Sequence, residues 1–92
     1  MRRVEISAHA RSDIQYLRNW LAERSPGASK RATKAIVAAA KSLADFPERG
    51  RQTLAGVREL AFPFGSGGYV LQYFVTGNRV VIARVFHSLE RR

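Results

Sequence analysis

The last third of the chain, residues 57–87, constrains the fold most. Residues 69–75 and 79–86 are two runs rich in β-branched and aromatic side chains, a composition typical of β-strands. Gly77 and Asn78 separate them and match the two-residue turns of β-hairpins. With residues 57–62 as a preceding strand, the region predicts three successive strands. A sheet this apolar requires another layer of structure over at least one face.

The first quarter of the chain predicts a short strand followed by an amphipathic helix. Residues 3–6 alternate weakly, and Ser7 stands where a helix N-cap is expected. Tyr16 and Trp20 form a second stripe beside the main apolar stripe of the helix. That main stripe consists of Ala10, Ile14, Leu17 and Leu21.

A second, alanine-rich helix is predicted over residues 27–45. Ser25 is its expected cap, and Pro26 suits the first helical position because its missing N–H would have no partner there. Small side chains allow close approach to the first helix, so a helical hairpin is expected. The predicted buried stripe consists of Ala32, Ile36, Ala39, Leu43 and Phe46.

Together these segments predict a single α+β domain over residues 1–92. The element order is β-α-α-β-β-β, with the helical hairpin packed on a mostly antiparallel sheet. Ninety-two residues suffice for one hydrophobic core but not for two.

The charge of the chain predicts an anionic partner. Sixteen Lys and Arg against seven Asp and Glu give a formal net charge of +9, and thirteen of the sixteen cations are arginines. Arginine presents a planar fork suited to phosphates and carboxylates, so nucleic acid and an acidic protein are equally good candidates. The absence of cysteine and of an apolar run near the ~20 residues needed to cross a bilayer predicts a cytoplasmic protein without membrane contact.

Two residues near the end of the chain are candidates for chemistry. Side-chain alternation places Arg84 on one face with Val80, Ile82 and Phe86, where an unpaired charge would be costly. We therefore expect Arg84 either on an open face or paired with Glu59 or Glu90. His87 is the candidate general acid or base of this half of the chain, with a hydrogen-bonding anchor as the alternative role.

Further arginines define a candidate basic site. Arg49, Arg51 and Arg58 surround the junction between helices and sheet, and Arg91 and Arg92 end the chain. If these arginines lie close to Arg84 and His87, they form a site that binds a phosphate backbone and assists attack by a ribose 2′-hydroxyl. The alternative is a solvated rim of cations. Two distant histidines and no cysteine predict no metal site, and no cofactor is expected.

The combined pattern resembles the RelE/ParE superfamily, the toxin half of type II toxin–antitoxin modules. The resemblance covers essentially the whole chain. It rests on the element order, the Val-Arg-Glu-Leu of residues 57–60, the Gly-Tyr-Val-Leu-Gln-Tyr of residues 68–73, and the Ala-Arg-Val-Phe-His of residues 83–87. It implies a small antitoxin that folds over the helices and sheet in a hetero-oligomer.

The superfamily implies two activities. RelE-like members resemble ribosome-dependent mRNA endoribonucleases, which would make Arg58, Arg84 and His87 the catalytic groups. Val70 and Ser88, however, occupy positions where such members carry Arg and Tyr, and Leu60 replaces a possible further basic residue.

The Arg-Val-Phe-His ending is similar to ParE-like members, so the resemblance favours a growth-arresting inhibitor of DNA gyrase. A RelE-like nuclease acting on ribosome and mRNA is the alternative, and a basic nucleic-acid-binding module is the second alternative. The predicted contacts to target or antitoxin are Arg49, Arg51, Arg58, Arg84, His87, Arg91 and Arg92.

Overall fold

Two helices cover one face of a five-stranded sheet. The structure is a computed structural model that describes residues 2–88. In chain order the elements are β1 (Arg3–Ile6), α1 (Ala8–Arg24), α2 (Pro26–Ser42), β2 (Arg51–Gln52), a short 3₁₀ turn (Leu54–Gly56), β3 (Arg58–Phe64), β4 (Gly67–Thr76) and β5 (Arg79–His87).

The sheet is mostly antiparallel, as predicted. Its strand order is β1-β5-β4-β3-β2. The β1–β5 pair is parallel and the other three pairs are antiparallel. The three predicted C-terminal strands are all present, and the α+β architecture is confirmed.

Both predicted helix caps are confirmed. The Ser7 hydroxyl accepts a hydrogen bond from the Ala10 N–H at 3.1 Å, and the Ser25 hydroxyl accepts one from the Ala28 N–H at 3.2 Å. Pro26 occupies the start of α2. Each cap satisfies an N–H that has no partner inside its own helix.

The hydrophobic core lies between the helices and one face of the sheet, here called the covered face. The opposite face is called the open face. Tyr73, Ile36, Leu43 and Leu71 are among the largest side chains that are fully buried there. Val4, Ile6, Ile14 and Leu21 pack against this cluster from its margins.

The region after α2 differs from prediction. The helix ends at Ser42 rather than residue 45, and Phe46 lies outside it with 64% of its surface exposed, so its predicted place in the buried stripe is wrong. Helical periodicity ceases to apply once the backbone leaves the helix. The edge strand β2 was missed because two residues carry no readable alternation.

A β-bulge in β5 overturns the predicted division of its side chains. Gln72 lies opposite Arg84, but Tyr73 lies opposite Ile82, so Ala83 is an extra residue. The insertion reverses the alternation. Val80 and Ile82 therefore share the covered face with Val85 and His87, and Arg84 falls with Phe86 on the open face.

The two ends of the sheet differ. At the connector end, residues 46–57, here called the connector, lie between α2 and β3. The Arg2 N–H donates to the Ala44 carbonyl there at 3.1 Å. At the cleft end, the turn at Gly65 and Ser66 joins β3 to β4. The two ends of β3 are roughly 20 Å apart. Within residues 2–88, neither helix is long and apolar enough to cross a membrane.

Candidate functional site

Arg84 is held by Asp13 of α1. Its Nε donates to Asp13 Oδ2 at 2.8 Å and its Nη2 donates to Oδ1 at 3.2 Å. Asp13 Oδ2 also accepts the backbone N–H of Val85 at 2.9 Å. Because β1 pairs with β5 only as far as Ile82, Asp13 supplies an acceptor where the neighbouring strand has ended.

Arg84 lies on the open face, as one of the two expectations had it, but the predicted partner Glu59 was wrong. Glu59 instead accepts from Arg51 at 3.2 Å and from Gln72 Nε2 at 2.9 Å, and Glu90 lies outside the described residues. The hydrogen bond to Asp13 raises the pKa of Arg84, and the negative charge of Asp13 adds to this effect while partial burial opposes it. Arg84 is therefore a cation already paired to a carboxylate.

Arg58 and Tyr73 fix the connector at its inner side. Arg58 Nη1 donates to the Gly50 carbonyl at 2.8 Å and to the Glu48 carbonyl at 3.4 Å. The buried Tyr73 hydroxyl donates to the Pro47 carbonyl at 2.7 Å and accepts from the Gly50 N–H at 2.8 Å. Both side chains thus hold backbone groups that strand pairing leaves unpaired.

The other arginines of the junction face outward. Arg51 lies on the open face in the same row as Glu59, Gln72 and Arg84, so three strand spacings separate Arg51 from Arg84 by ~14 Å. Arg49 Nη1 donates to the Ser42 hydroxyl at 2.6 Å. The predicted contacts Arg91 and Arg92 lie outside the described residues.

His87 lines an apolar cleft at the cleft end of the sheet. Its ring meets the Tyr69 ring edge-on, with 5.6 Å between centroids. The cleft has a volume of about 500 Å³, within the range of ligand sites. Its walls are the second half of α1 and the β3–β4 turn, contributing Tyr16, Leu17, Trp20, Leu21, Phe64, Gly65, Ser66 and Gly67 beside Tyr69 and His87.

The three candidate catalytic residues lie in different places. Arg58 is opposite Tyr73 and His87 is opposite Tyr69, and four residues of β4 separate these positions by about 13 Å. Arg84 is on the open face at the sheet margin. The structure therefore does not bring Arg58, Arg84 and His87 together around one reacting group.

Two of the three positions at which the chain departs from the nuclease pattern are internal, while Ser88 is partly exposed. Val70 is 8% exposed and Leu60 is 7% exposed. A guanidinium at either position would have to be desolvated, at a cost of several kcal/mol unless it were paired. Both residues therefore pack within the protein and present no surface to a substrate.

Sequence reasoning did not assign a binding role to the aromatic wall of the cleft. Tyr16 and Trp20 were recognised as a stripe of α1, and they are 56% and 46% exposed. The Arg24 guanidinium lies 3.7 Å from the centroid of the Trp20 ring, a cation–π contact. The available signal was a pair of aromatics at i and i+4 beside the buried stripe.

The sequence and the fold place the chain among known proteins. A family model described as "ParE toxin of type II toxin-antitoxin system, parDE" matches residues 4–92. The chain belongs to this toxin family. The predicted membership of the RelE/ParE superfamily is thereby confirmed, and the protein is the toxin component of a type II system. Type II toxins pair with a cognate antitoxin.

Three toxins of Caulobacter vibrioides are similar to this toxin over nearly their whole length. Toxin RelE3 is 48% identical over 92 residues, covering 100% of both chains. Toxin RelE1 is 39% identical over 89 residues, covering 97% of this chain and 96% of the relative. Toxin RelE2 is 35% identical over 88 residues, covering 96% and 97% respectively.

A solved structure shares the fold of this family member. The chromosomal ParDE TA system from P. aeruginosa contains a chain with a TM-score of 0.79 and 20% identity, covering 95% of this chain and 96% of that chain. The family model carries the ParE name, while the three relatives carry the RelE name. The names alone therefore leave two candidate targets for the toxin.

Proposed function

We propose that this toxin acts by binding its target rather than by cutting RNA, and that the target is DNA gyrase. The observation that carries the proposal is the separate engagement of Arg58, Arg84 and His87. Each of the three side chains contacts different groups of the protein, and they do not line a single pocket. ParE membership adds the preference for gyrase over other protein targets.

The chemistry of RNA cleavage explains why this separation matters. Attack by a ribose 2′-hydroxyl needs a proton acceptor within hydrogen-bond reach and cations around the developing phosphorane charge. Here the side chain of His87 lies among apolar groups of the cleft, and the charge of Arg84 is already matched by Asp13. Arg58 is occupied with two backbone carbonyls.

The apolar cleft is our proposed docking site for the cognate antitoxin. Its exposed aromatic wall offers anchor sites of the kind that bind amphipathic segments. The net charge of +9 favours a segment with carboxylates beside its apolar residues. The predicted hetero-oligomer would then hide Tyr16 and Trp20 from water.

The first test is a supercoiling assay with purified toxin, DNA gyrase and relaxed plasmid. We expect supercoiling to be blocked or cleaved DNA to be trapped, and we expect prior mixing with the antitoxin to restore activity. Unimpaired supercoiling at a large molar excess of folded toxin would contradict the proposal.

The second candidate function is ribosome-dependent mRNA cleavage, which the RelE names of three close relatives favour. Codon-spaced cuts on programmed ribosomes, lost in His87→Ala while the fold is retained, would establish it. Arg58→Ala is a weaker probe because it also releases the connector, so its thermal stability must be measured alongside. A plain nucleic-acid-binding module would instead show binding to bare nucleic acid with steep salt dependence.

A further inference from the structure

The exposed large apolar side chains are divided between the two ends of the sheet. Tyr16 and Trp20 belong to the cleft. The other four lie towards the connector end, in the connector itself and next to the β4–β5 turn: Phe46, Leu54, Phe74 and Val75. An antitoxin segment seated in the cleft leaves this second group uncovered.

The connector is held rigidly from its inner side while its larger side chains point outward. Tyr73 and Arg58 bind the backbone of residues 47–50 by four hydrogen bonds. Phe46 is 64% exposed, and Arg49 and Arg51 are exposed on either side of Gly50. A segment whose backbone is fixed in this way loses little conformational entropy on binding a partner.

The tip of the connector presents one leucine almost completely to solvent. Leu54 is 87% exposed. The Val57 carbonyl accepts from the Thr53 N–H at 2.8 Å and from the Thr53 hydroxyl at 2.7 Å, which closes the turn. Ala55 adopts φ 59° and ψ 35°, a left-handed conformation costing roughly 1 kcal/mol for a residue with a Cβ. The two Thr53 hydrogen bonds therefore fix the backbone turn that carries Leu54.

The charges of the connector are mixed, since Glu48 is exposed beside Arg49, within a chain whose net charge is +9. Arg51 has a side chain 71% exposed and pairs with Glu59. Within residues 2–88, Arg49 has no carboxylate in salt-bridge distance and is bound to the Ser42 hydroxyl. Arginine and aromatic side chains such as Phe46 are enriched at the centres of protein–protein interfaces, and the exposed Leu54 adds apolar area beside them.

From these observations we propose that Phe46, Arg49, Arg51 and Leu54 form a second protein-binding surface, here called the connector surface. Its occupant is an acidic protein surface with an apolar pocket that receives Leu54 and carboxylates that meet the arginines. This occupant is the toxin's target, so the inference rests on the proposed function. The cleft and the connector surface would then serve different partners.

A protein partner fits this surface better than RNA. Phe46 offers a face on which a base can stack, but Leu54 has no stacking face and no hydrogen-bonding group, so the most exposed apolar residue of the surface contributes nothing to nucleotide recognition. An apolar pocket in a protein instead removes the Leu54 side chain from water, which is favourable in proportion to its apolar area. Arginines alone would not distinguish the two kinds of partner, because they bind the phosphates of RNA and the carboxylates of a protein equally well.

The test compares four variants for target action and antitoxin binding. Leu54→Glu reverses the character of the tip, Leu54→Met keeps it apolar, and Arg31→Ala on α2 serves as the matched control for Arg49→Ala because it removes the same charge from an exposed helical site. Growth arrest and inhibition of purified gyrase report target action. Titration calorimetry with the co-purified antitoxin reports cleft binding, and circular dichroism confirms folding.

We expect Leu54→Glu to weaken growth arrest and gyrase inhibition at least tenfold and Arg49→Ala about fivefold, with Leu54→Met and Arg31→Ala close to wild type. Antitoxin affinity should stay within twofold for all of them. The inference would be overturned if folded Leu54→Glu were fully toxic, or if this variant lost antitoxin binding and not target action. An effect of Arg49→Ala without one of Leu54→Glu would also overturn it, because it would indicate phosphate contact.

The same variants separate failure of the inference from failure of the proposed function. If wild-type toxin leaves gyrase active but arrests growth, gyrase is rejected as the target. Loss of that arrest in Leu54→Glu with normal antitoxin binding would still support the connector surface. If wild-type toxin inhibits gyrase and Leu54→Glu inhibits it equally, the proposed function stands and the connector surface is rejected.

Discussion

At the scale of single residues, the pair formed by Asp13 and Arg84 has a large expected effect on stability for a polar contact. The two side chains are 10% and 24% exposed, and Asp13 also satisfies the N–H of Val85. Removing Asp13 leaves two polar groups without their acceptor in a partly desolvated place. This loss is greater than that of a surface ion pair, whose worth is less than about 1 kcal/mol.

We predict that Asp13→Ala lowers the free energy of unfolding by about 3 kcal/mol. A double-mutant cycle with Arg84→Ala should give a coupling free energy of about 1–3 kcal/mol. Urea denaturation measures both quantities. Arg3→Ala, which removes an exposed partner of Glu5, is the control and should cost about 0.5 kcal/mol or less. Additive single effects would show that the pair contributes no coupling.

The pH dependence of this pair follows from the raised pKa of Arg84. A group whose folded-state pKa is raised contributes its stability in full below its unfolded pKa and loses it only as pH rises through the folded value. Since arginine titrates far above neutrality, the effect of Arg84→Ala should stay constant from about pH 6 to about pH 9.

Glycine 50 gives a second test at the residue scale. A Cβ at this position would lie 2.5 Å from the Tyr73 hydroxyl oxygen, so the ring or the loop would have to move. We predict that Gly50→Ala lowers the free energy of unfolding by about 2–3 kcal/mol. Gly27→Ala is the control, because its Cβ meets only the mobile end of Arg31 at 3.1 Å. It should raise helix stability by about 0.5 kcal/mol.

At the scale of elements, the sequence predicted the features that depend on neighbouring residues and missed those that depend on contacts between distant ones. The caps at Ser7 and Ser25 were predictable because an N-cap acts on an N–H three residues away. The contact between Asp13 and Arg84 spans 71 residues and depends on the bulge at Ala83. Strand periodicity cannot locate an inserted residue, so the separation of Arg84 from Val80 and Ile82 and its pairing with Asp13 were beyond the sequence.

The two helix caps provide a matched prediction at this scale. Ser7 caps α1 and also donates to the Ala83 carbonyl at 3.1 Å, while Ser25 caps α2 and makes no such contact with the sheet within the described chain. We expect Ser25→Ala to cost about 1 kcal/mol and Ser7→Ala about 2 kcal/mol. A change of 1 kcal/mol moves the Tm of a domain this small by about 4–8 °C, so thermal melts resolve the difference. Equal losses would mean that the bond to the bulge contributes nothing.

At the scale of the whole molecule, we propose that the two ends of the sheet bind different partners, whereas the sequence predicted a single basic site. The cleft end is apolar and aromatic, and the connector end combines arginines with a fixed apolar tip. The net charge of +9 belongs to neither end alone. It produces a positive field that attracts an acidic partner before any specific contact forms.

The long-range field comes from the net charge, whereas the proposed antitoxin contact is apolar. This difference predicts how antitoxin binding responds to salt. Raising the salt from ~0.05 M to ~0.5 M shortens the Debye length from about 14 Å to about 4 Å, so the association rate constant should fall at least tenfold. The dissociation rate constant should change less than threefold, because apolar burial of Tyr16 and Trp20 in the cleft is insensitive to screening. Stopped-flow fluorescence of Trp20, the single tryptophan of the toxin, measures both rates, with a tryptophan-free antitoxin or a difference signal as the control. A complex held mainly by local ion pairs would show the reverse, a dissociation rate that climbs with salt.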